Sequence, residues 1–384
     1  MKIAVIGDSI TDHYIYGTVE RISPESPIPI FKESNQESWS QGGAANVAAN
    51  LKSFGSNIKF YHDTLKNSIK HRYVCDNHIM FRSDNESYNI NEKIEFDLTD
   101  VSYCILSDYN KGFLHHSQQI IDYCHSKGCE VIVDPKKHLS NYRNADYVKL
   151  NKKEILSYAD GESYDTIRKK YNIGTLIITL GSNGVYISSE DYEGAIPCDQ
   201  HQVSDVTGAG DVFIACLAHY LNNGNDLYTS CFKANKLAAF SVTKFGTYKL
   251  TNEDLRQVIT VFTNGCFDIL HKGHVDYLKK SKEMGARLIV GLNSDTSVKR
   301  LKGIDRPINS QEDRKAVLES LGCVDEVIIF DEDTPYELIK KVKPDIITKG
   351  GDYQPNTVVG NDLAQVVIVP LVEGISTTKI IERF

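Results

Sequence analysis

Short runs of β-branched and aliphatic residues alternate with amphipathic helical patterns along the whole chain. Such alternation is typical of α/β proteins built around parallel sheets. In the first two thirds it predicts strands at residues 3–6, 104–106, 130–133, 147–150, 176–179 and 185–187, and helices at 44–54, 117–127, 153–158 and 211–222. Three prolines in segment 22–29 favour an edge strand or flap there over a central strand.

A second series of strands and helices begins at Val258. It predicts strands at 261–263, 288–292, 326–330, 346–348 and 366–369, and helices at 274–284, 311–321, 335–342 and from 376 onward. The restart of the pattern is better evidence for a boundary than any linker composition. We therefore predict one domain over residues 1–255 and a second over 258–384.

Composition narrows the class of protein. The 384 residues suit two or three domains of about 150 residues, and 41% hydrophobic with 24% charged residues is ordinary for a globular chain. The net charge of −8 is spread evenly, which argues against a nucleic-acid partner. The sequence contains no run of 18 apolar residues, so it predicts no membrane span. Nine cysteines without a C-x-x-C pair, and no signal-like start, predict reduced thiols in a cytoplasmic protein.

The segment Asp205-Val206-Thr207-Gly208-Ala209-Gly210-Asp211 leads directly into an apolar helical run. Glycines in a turn that opens a helix expose backbone N–H groups, which stabilise the charge on a phosphoryl group during transfer. Asp211 would then accept the proton of an attacking hydroxyl as general base. The structural alternative is a tight turn in which Asp211 is only an N-cap.

Three further segments favour the catalytic role of Asp211 over the N-cap role. Gly7-Asp8 lies at a strand end, Gln41-Gly42-Gly43-Ala44-Ala45-Asn46 opens a helix, and Asn151-Lys152-Lys153-Glu154 follows a strand. Small residues let a ligand approach the backbone, while the amide and carboxylate groups suit sugar hydroxyls or the water shell of Mg²⁺. Taken alone, each segment is better explained by a purely structural role than by ligand binding.

Together and in this order, these segments resemble the ribokinase family of sugar kinases over essentially all of residues 1–250. The resemblance implies an α/β domain with a mostly parallel sheet and a flap, and transfer of phosphate from ATP with Mg²⁺ to a sugar hydroxyl, Asp211 being the base. It implies ATP-binding roles for Asn151, Glu154, Thr179, Gly181, Gly208, Ala209, Gly210 and Asn235, and sugar-binding roles for Asp8, Asp12, Gly42, Gly43 and Asn46. Mg²⁺ is expected near Glu154 through water, with no direct metal ligand assigned.

The chain departs from that family at one place. Residues 61–72 leave little room for the further helix and strand that are usual there. We therefore expect a trimmed sheet.

The most specific signal is Thr263-Asn264-Gly265-Cys266-Phe267-Asp268-Ile269-Leu270-His271-Lys272-Gly273-His274. Two histidines three apart around a glycine, where a loop becomes a helix, can both point at one phosphate. Surface histidines or a zinc site are the alternatives, but zinc needs two or more further ligands that no nearby pair supplies.

Near the end of the chain, Glu373-Gly374-Ile375-Ser376-Thr377-Thr378 combines three hydroxyl residues that suit either phosphate binding or an N-cap. With the histidine motif, it resembles the cytidylyltransferase superfamily of nucleotidyltransferases over residues 260–384. The resemblance implies a Rossmann-like domain, with His271 and His274 as catalytic residues that stabilise charge electrostatically. It assigns nucleotide binding to Thr263, Asn264, Gly265, Phe267, Ser376, Thr377 and Thr378.

The order of the two domains resembles the bifunctional heptose 7-phosphate kinase/heptose 1-phosphate adenylyltransferase family. Val372-Glu373-Gly374, without the arginine usual in cytidylyltransferases, is similar to its ADP-heptose branch and favours ATP over CTP. We expect ATP and sugar phosphates as partners, and a homodimer. The alternatives are a kinase for another sugar fused to a CTP-dependent cytidylyltransferase, and an active transferase carrying a non-catalytic, kinase-like scaffold.

Overall fold

The structure is a computed structural model that describes residues 1–63, 68–158, 161–198, 201–351 and 353–370. Its chain divides into two compact units, Met1–Asn252 and Glu253–Phe384. The described helices include none that is long and apolar enough to cross a membrane.

The first unit contains two sheets. Its strands are β1 (Lys2–Gly7), β2 (Ser9–Ile22), β3 (Pro29–Gly43), β4 (Ile58–Tyr61), β5 (Ser68–Cys75), β6 (His78–Asn85), β7 (Val101–Ser107), β8 (Glu130–Asp134), β9 (Tyr147–Asn151), β10 (Thr175–Thr179), β11 (Val185–Ser188) and β12 (Glu193–Ile196). Its helices are α1 (Ala44–Ser53), α2 (Ser117–Ser126), α3 (Lys152–Leu156), α4 (Tyr164–Lys170), α5 (Ala209–Asn222) and α6 (Leu227–Ser241).

The larger sheet has the order β12-β11-β10-β9-β8-β7-β1-β4, and it is parallel from β10 to β4. Its inner strands are near-continuous runs of Ile, Val and Leu because helices cover both faces of a parallel sheet. Parallel strands bring their carboxyl ends to one edge. Asp8, Asp108, Asp134, Asn151 and Thr179 all lie at or just beyond those ends.

The smaller sheet, β3-β2-β5-β6, is the predicted flap. The proline-rich segment is the turn between β2 and β3, where Ile28 N–H donates to Ser26 O. Both strands are long, and the sequence predicted neither, because their exposed faces carry polar residues without a continuous apolar run.

β4 and β5 are joined by a short connection, at the place where we expect a trimmed sheet. β4 is the edge strand of the large sheet, and β5 already belongs to the flap. Only the six positions 62–67 separate them, too few for a helix and a strand.

The second unit has one parallel sheet, in the order β15-β14-β13-β16-β17. Its strands are β13 (Thr260–Gly265), β14 (Arg287–Asn293), β15 (Glu326–Phe330), β16 (Ile346–Gly350) and β17 (Gln365–Val369). The helices are α7 (Asn252–Leu255), α8 (Lys272–Lys282), α9 (Asp295–Lys302), α10 (Gln311–Glu319) and α11 (Tyr336–Val342). This is the predicted Rossmann-like arrangement, and the helix expected from residue 376 lies outside the described residues.

Candidate functional site

Asp211 lies in the first turn of α5 and is 2% exposed. Its Oδ1 accepts a hydrogen bond from the Tyr109 hydroxyl at 2.7 Å, and its Oδ2 accepts one from Asn46 Nδ2 at 3.0 Å. Burial raises the pKa of Asp211 to about 6, although both hydrogen bonds oppose that rise. The carboxylate is therefore ionised at neutral pH and yet more basic than an exposed one, as a general base requires.

The turn before Asp211 has room only for small residues. Gly208 has a φ of +78°, a left-handed conformation that favours glycine, and it caps α5. A Cβ on Gly210 would lie 2.8 Å from Lys149 Nζ, which is paired with Asp134 at 3.0 Å. The glycine turn thus rests directly on a buried ion pair, and its N–H groups lie at the start of a long helix.

Two cavities meet at Asp211. The larger has a volume of about 670 Å³, within the usual range for a small-molecule site. The smaller has about 60 Å³ and lies on the flap side. Asp211, Tyr109 and Gly208 line both cavities, so the carboxylate borders each of them.

Most residues predicted to bind ATP line the larger cavity. These are Asn151, Thr179, Gly181, Gly208, Ala209, Gly210 and Asn235. Lys136, Lys149, Lys152 and Lys153 also line it. Lys136 is paired with Glu154 and Lys149 with Asp134, so Lys152 and Lys153 supply the positive charge that suits phosphates.

Glu154 does not line that cavity. Its carboxylate accepts a hydrogen bond from Asn151 N–H at 2.8 Å and pairs with Lys136. With Asn151 it forms the capping box of α3. Glu154 therefore contacts two residues that line the cavity, and its own contact with ATP stays a prediction.

The predicted sugar residues divide into two groups. Asp12, Gly42 and Gly43 line the smaller cavity. Asp12 accepts hydrogen bonds there from Arg72 Nη2 at 2.8 Å and from the Thr247 hydroxyl at 2.9 Å. Asn46 lies behind this cavity and holds Asp211, so its contact is with the base and not with the small cavity.

Asp8 is held by backbone groups and borders a separate, very small cavity, so its sugar contact stays a prediction. Its carboxylate accepts backbone N–H groups of Tyr109 at 2.8 Å, Lys111 at 3.1 Å and Phe113 at 3.0 Å. It does not line the small cavity beside Asp211. Asp8 fixes the loop that carries Tyr109.

The second unit places its histidine motif at the start of α8. His271 caps the helix, and its ring stacks on that of His274 with centroids 3.8 Å apart. A Cβ on Gly273 would lie 3.1 Å from His271 Nδ1, which explains the glycine between them. Burial lowers the pKa of His271, and burial followed by the neighbouring ring lowers the pKa of His274 to about 4. Both rings are neutral at pH 7 before a phosphate binds.

The other residues predicted to bind the nucleotide differ in their positions relative to the histidine pair. Asn264 and Gly265 end β13, with Asn264 Oδ1 accepting from Lys349 Nζ at 3.0 Å. Phe267 is buried and packs against the His274 ring. Thr263 is fully buried and bonds Tyr277 at 2.6 Å, which is a packing role in place of the predicted nucleotide contact. Ser376, Thr377 and Thr378 lie outside the described residues.

Arg306 and Arg314 follow the histidine motif, and their positions in the sequence are compatible with either phosphate binding or a solvated face. Arg306 Nε pairs with Asp268 at 2.5 Å. Arg314 is 2% exposed and donates to Asp295 at 2.7 Å and to the Cys266 carbonyl at 2.6 Å. Both therefore hold the loop after β13, and the solvated alternative is wrong for Arg314.

Sequence reasoning missed several residues at these sites. Asp134 and Lys349 directly follow predicted strands, so the strand-end rule that selected Asp8 and Asn151 would have found them, whereas Tyr109 lies two residues beyond the end of β7. Lys70 and Arg72 lie in β5, which has no strong sequence signal. Lys149 sits inside a predicted strand, where only the structure reveals its ion pair.

Comparisons with known proteins give a consistent result. Residues 83–254 match the pfkB family of carbohydrate kinases, and residues 262–383 match the cytidylyltransferase-like family. The bifunctional protein HldE of Campylobacter concisus is 38% identical, with 100% of this chain and 97% of that protein aligned. HldE of Helicobacter hepaticus is 37% identical, over 99% and 96%.

The chain belongs to the HldE family. The predicted family, with a kinase unit followed by a nucleotidyltransferase unit, is confirmed. The fold of the first unit agrees with Thermotoga maritima ribokinase, with a TM-score of 0.55, 19% identity, and coverage of 66% of this chain and 98% of that one. Phosphofructokinase-2 from Escherichia coli has a TM-score of 0.53 at 14% identity, over 66% and 96%.

This member of the HldE family is short. Its alignment with the Campylobacter concisus protein runs over 461 positions, whereas the chain has 384 residues, so at least 77 aligned positions lack a residue here. The residues around Asp211 and the His271/His274 pair are nevertheless present.

Tyr109 provides a direct test of the geometry around Asp211. We expect sugar-kinase activity of the wild type to fall as the pH drops through about 6, where Asp211 gains a proton. Tyr109→Phe removes a hydrogen bond that favours the ionised carboxylate, so the acidic limb should move upward by roughly one pH unit. The measurement is kcat/KM of the kinase reaction from pH 5 to 9.

Tyr186→Phe is the matched control, because the Tyr186 hydroxyl bonds Glu193 and does not line either cavity. A uniform loss of activity in Tyr109→Phe at every pH, with an unmoved limb, would show that Tyr109 only supports packing.

Proposed function

We propose that the first unit phosphorylates O1 of D-glycero-β-D-manno-heptose 7-phosphate with ATP, and that the second unit transfers an adenylyl group from ATP to heptose 1-phosphate. The observation that carries the first activity is the position of Asp211 between two cavities of unequal size. The larger accommodates a nucleotide with its phosphates against Lys152 and Lys153, and the smaller receives the reacting end of the sugar.

The kinase step follows from this geometry. The O1 hydroxyl of the sugar donates its proton to Asp211 as its oxygen attacks the γ-phosphorus, and ADP leaves with the electrons of the broken bond. Backbone N–H groups of Gly208, Ala209 and Gly210 stabilise the negative charge on the transferring group. Tyr109 and Asn46 keep the carboxylate aimed at the junction of the cavities.

The phosphate on the sugar fits the charges of the smaller cavity. Lys70 and Arg72 both line it. Arg72 is neutralised by Asp12, whereas Lys70 has no carboxylate within ion-pair distance among the described residues and lies 5.4 Å from the centre of the Tyr109 ring. A dianionic substituent on the sugar would supply the missing counter-charge.

Mg²⁺ with ATP suits this site. The described residues contain no group of three or more side chains able to hold a metal. Mg²⁺ keeps several waters and is usually bound by substrate phosphates and one or two carboxylates. Asn151 and Glu154, beside the cavity wall, would hold its water shell, and the ion would neutralise charge on the phosphates.

The second activity is supported by the stacked His271 and His274 at the start of α8. An oxygen of the sugar 1-phosphate attacks the α-phosphorus of ATP, and pyrophosphate departs. No protein nucleophile is required, because the imidazole N–H groups and the helix start stabilise charge on the phosphates. ATP is favoured over CTP because Leu371 occupies the place of the arginine usual in cytidylyltransferases.

We propose a cytoplasmic homodimer as the form in which the protein works. Disulfide bonds are absent among the cysteines of the described residues, which supports a reducing compartment.

Separate variants should abolish the two activities independently. Asp211→Asn should lower kinase turnover about 100-fold or more while leaving adenylyl transfer intact, because only the base is lost. His274→Ala should do the reverse, again by about 100-fold or more. ADP release and pyrophosphate release measure the two reactions on the same preparations, and equal loss of both from either variant would contradict two separate sites.

The choice of nucleotide is tested on the second reaction alone. With heptose 1-phosphate and Mg²⁺, ATP should give faster pyrophosphate release than CTP at equal concentration. Faster release with CTP would overturn the adenylyltransferase assignment and favour a cytidylyltransferase fused to a sugar kinase.

A further inference from the structure

The strand order of the second unit defines where its ligand crevice lies. From β13 the chain moves to β14 and β15 on one side of the sheet, and then crosses to β16 and β17 on the other. Ligands of open parallel sheets bind outside the carboxyl ends of the strands at such a switch point. Here it lies between β13, which ends at Asn264 and Gly265, and β16, which ends at Lys349 and Gly350.

Lys349 is a half-buried cation at this point. Its Nζ donates to Asn264 Oδ1 at 3.0 Å and lies 5.6 Å from the centre of the Tyr353 ring. Among the described residues no carboxylate pairs with it. Other half-buried or buried cations of this unit are paired, namely Lys282 with Asp325, Arg306 with Asp268 and Arg314 with Asp295.

A half-buried cation that no carboxylate of the described residues pairs with has an energetic cost, because desolvation disfavours its charged form. Burial accordingly lowers the pKa of Lys349. An anion in the crevice would offset that cost, and the neutral Asn264 amide only orients the ammonium group. The local structure therefore favours a negatively charged ligand next to Lys349.

We propose that Lys349 is a catalytic residue of the second unit, which binds the phosphate chain of the nucleoside triphosphate and stabilises the departing pyrophosphate. The proposal rests on the adenylyl transfer proposed above and names a residue of that same site. It adds a fixed positive charge to a site whose two histidines are neutral at pH 7 before the nucleotide binds.

The chemical step requires no proton transfer to or from Lys349. A bond forms between an oxygen of the sugar phosphate and the α-phosphorus, and the bond from the α-phosphorus to the bridging oxygen breaks. The electron pair stays on the pyrophosphate oxygen. The ammonium group stabilises that developing charge and remains protonated.

The test uses the full chain and inorganic pyrophosphate as the probe, with binding measured by titration calorimetry. Lys349→Gln retains an N–H donor for Asn264 but removes the charge. We expect it to weaken pyrophosphate binding about 10- to 100-fold and to lower kcat/KM for adenylyl transfer by a similar factor. Lys340→Gln is the matched control, because Lys340 is exposed on α11. Circular dichroism of the same preparations reports that the chain is folded, since kinase activity would report on the first unit alone.

Lys349→Arg keeps the charge and should retain binding within about 10-fold of wild type, which separates charge from packing. Pyrophosphate binding that is absent in wild type, or equal in wild type and Lys349→Gln, would overturn the proposal. Any binding event unaffected by Lys349→Gln belongs to another site. A wild type that binds pyrophosphate through Lys349 but does not turn over heptose 1-phosphate would contradict the proposed function and leave the Lys349 contact standing.

Discussion

The first unit depends on keeping one carboxylate ionised at a place where water is scarce. Asp211 is buried, and burial alone favours its neutral form. The hydroxyl of Tyr109 and the amide of Asn46 oppose this effect by donating to its two oxygens. Much of the surrounding structure serves to place those two donors.

The supports of Asp211 come from distant parts of the chain. Tyr109 is held by the loop that Asp8 fixes after β7, and Asn46 lies on α1, directly after the flap strand β3. Gly210 lies against the Asp134–Lys149 ion pair at the ends of β8 and β9. Because these strands are parallel and adjacent, their carboxyl ends lie side by side at one edge of the sheet. The residues around the base are therefore held by the shared edge of the sheet.

Site residues could be predicted from the sequence where they belong to a short motif with fixed spacing. The glycine turn before Asp211 and the two histidines around Gly273 are recognisable by their spacing. In the structure Asp211 borders the cavity that Asn151 and Thr179 also line, and the two histidine rings stack. Individual roles were harder to predict, since a residue type does not reveal its partner. Asp8, Glu154 and Thr263 have suitable polar groups, yet each is occupied within the protein. Their hydrogen bonds are to residues remote in sequence or to the backbone, which only a folded chain displays.

The central claim is that this shortened member of the HldE family still has a working kinase. The most direct measurement incubates the purified chain with heptose 7-phosphate, Mg²⁺ and ATP, and follows ADP release together with the phosphorus NMR spectrum of the sugar. ADP should form in step with a new phosphate at O1. Absence of ADP release across heptose, hexose and pentose phosphates, in a preparation that still transfers adenylyl groups, would contradict it and leave the first unit as a non-catalytic scaffold.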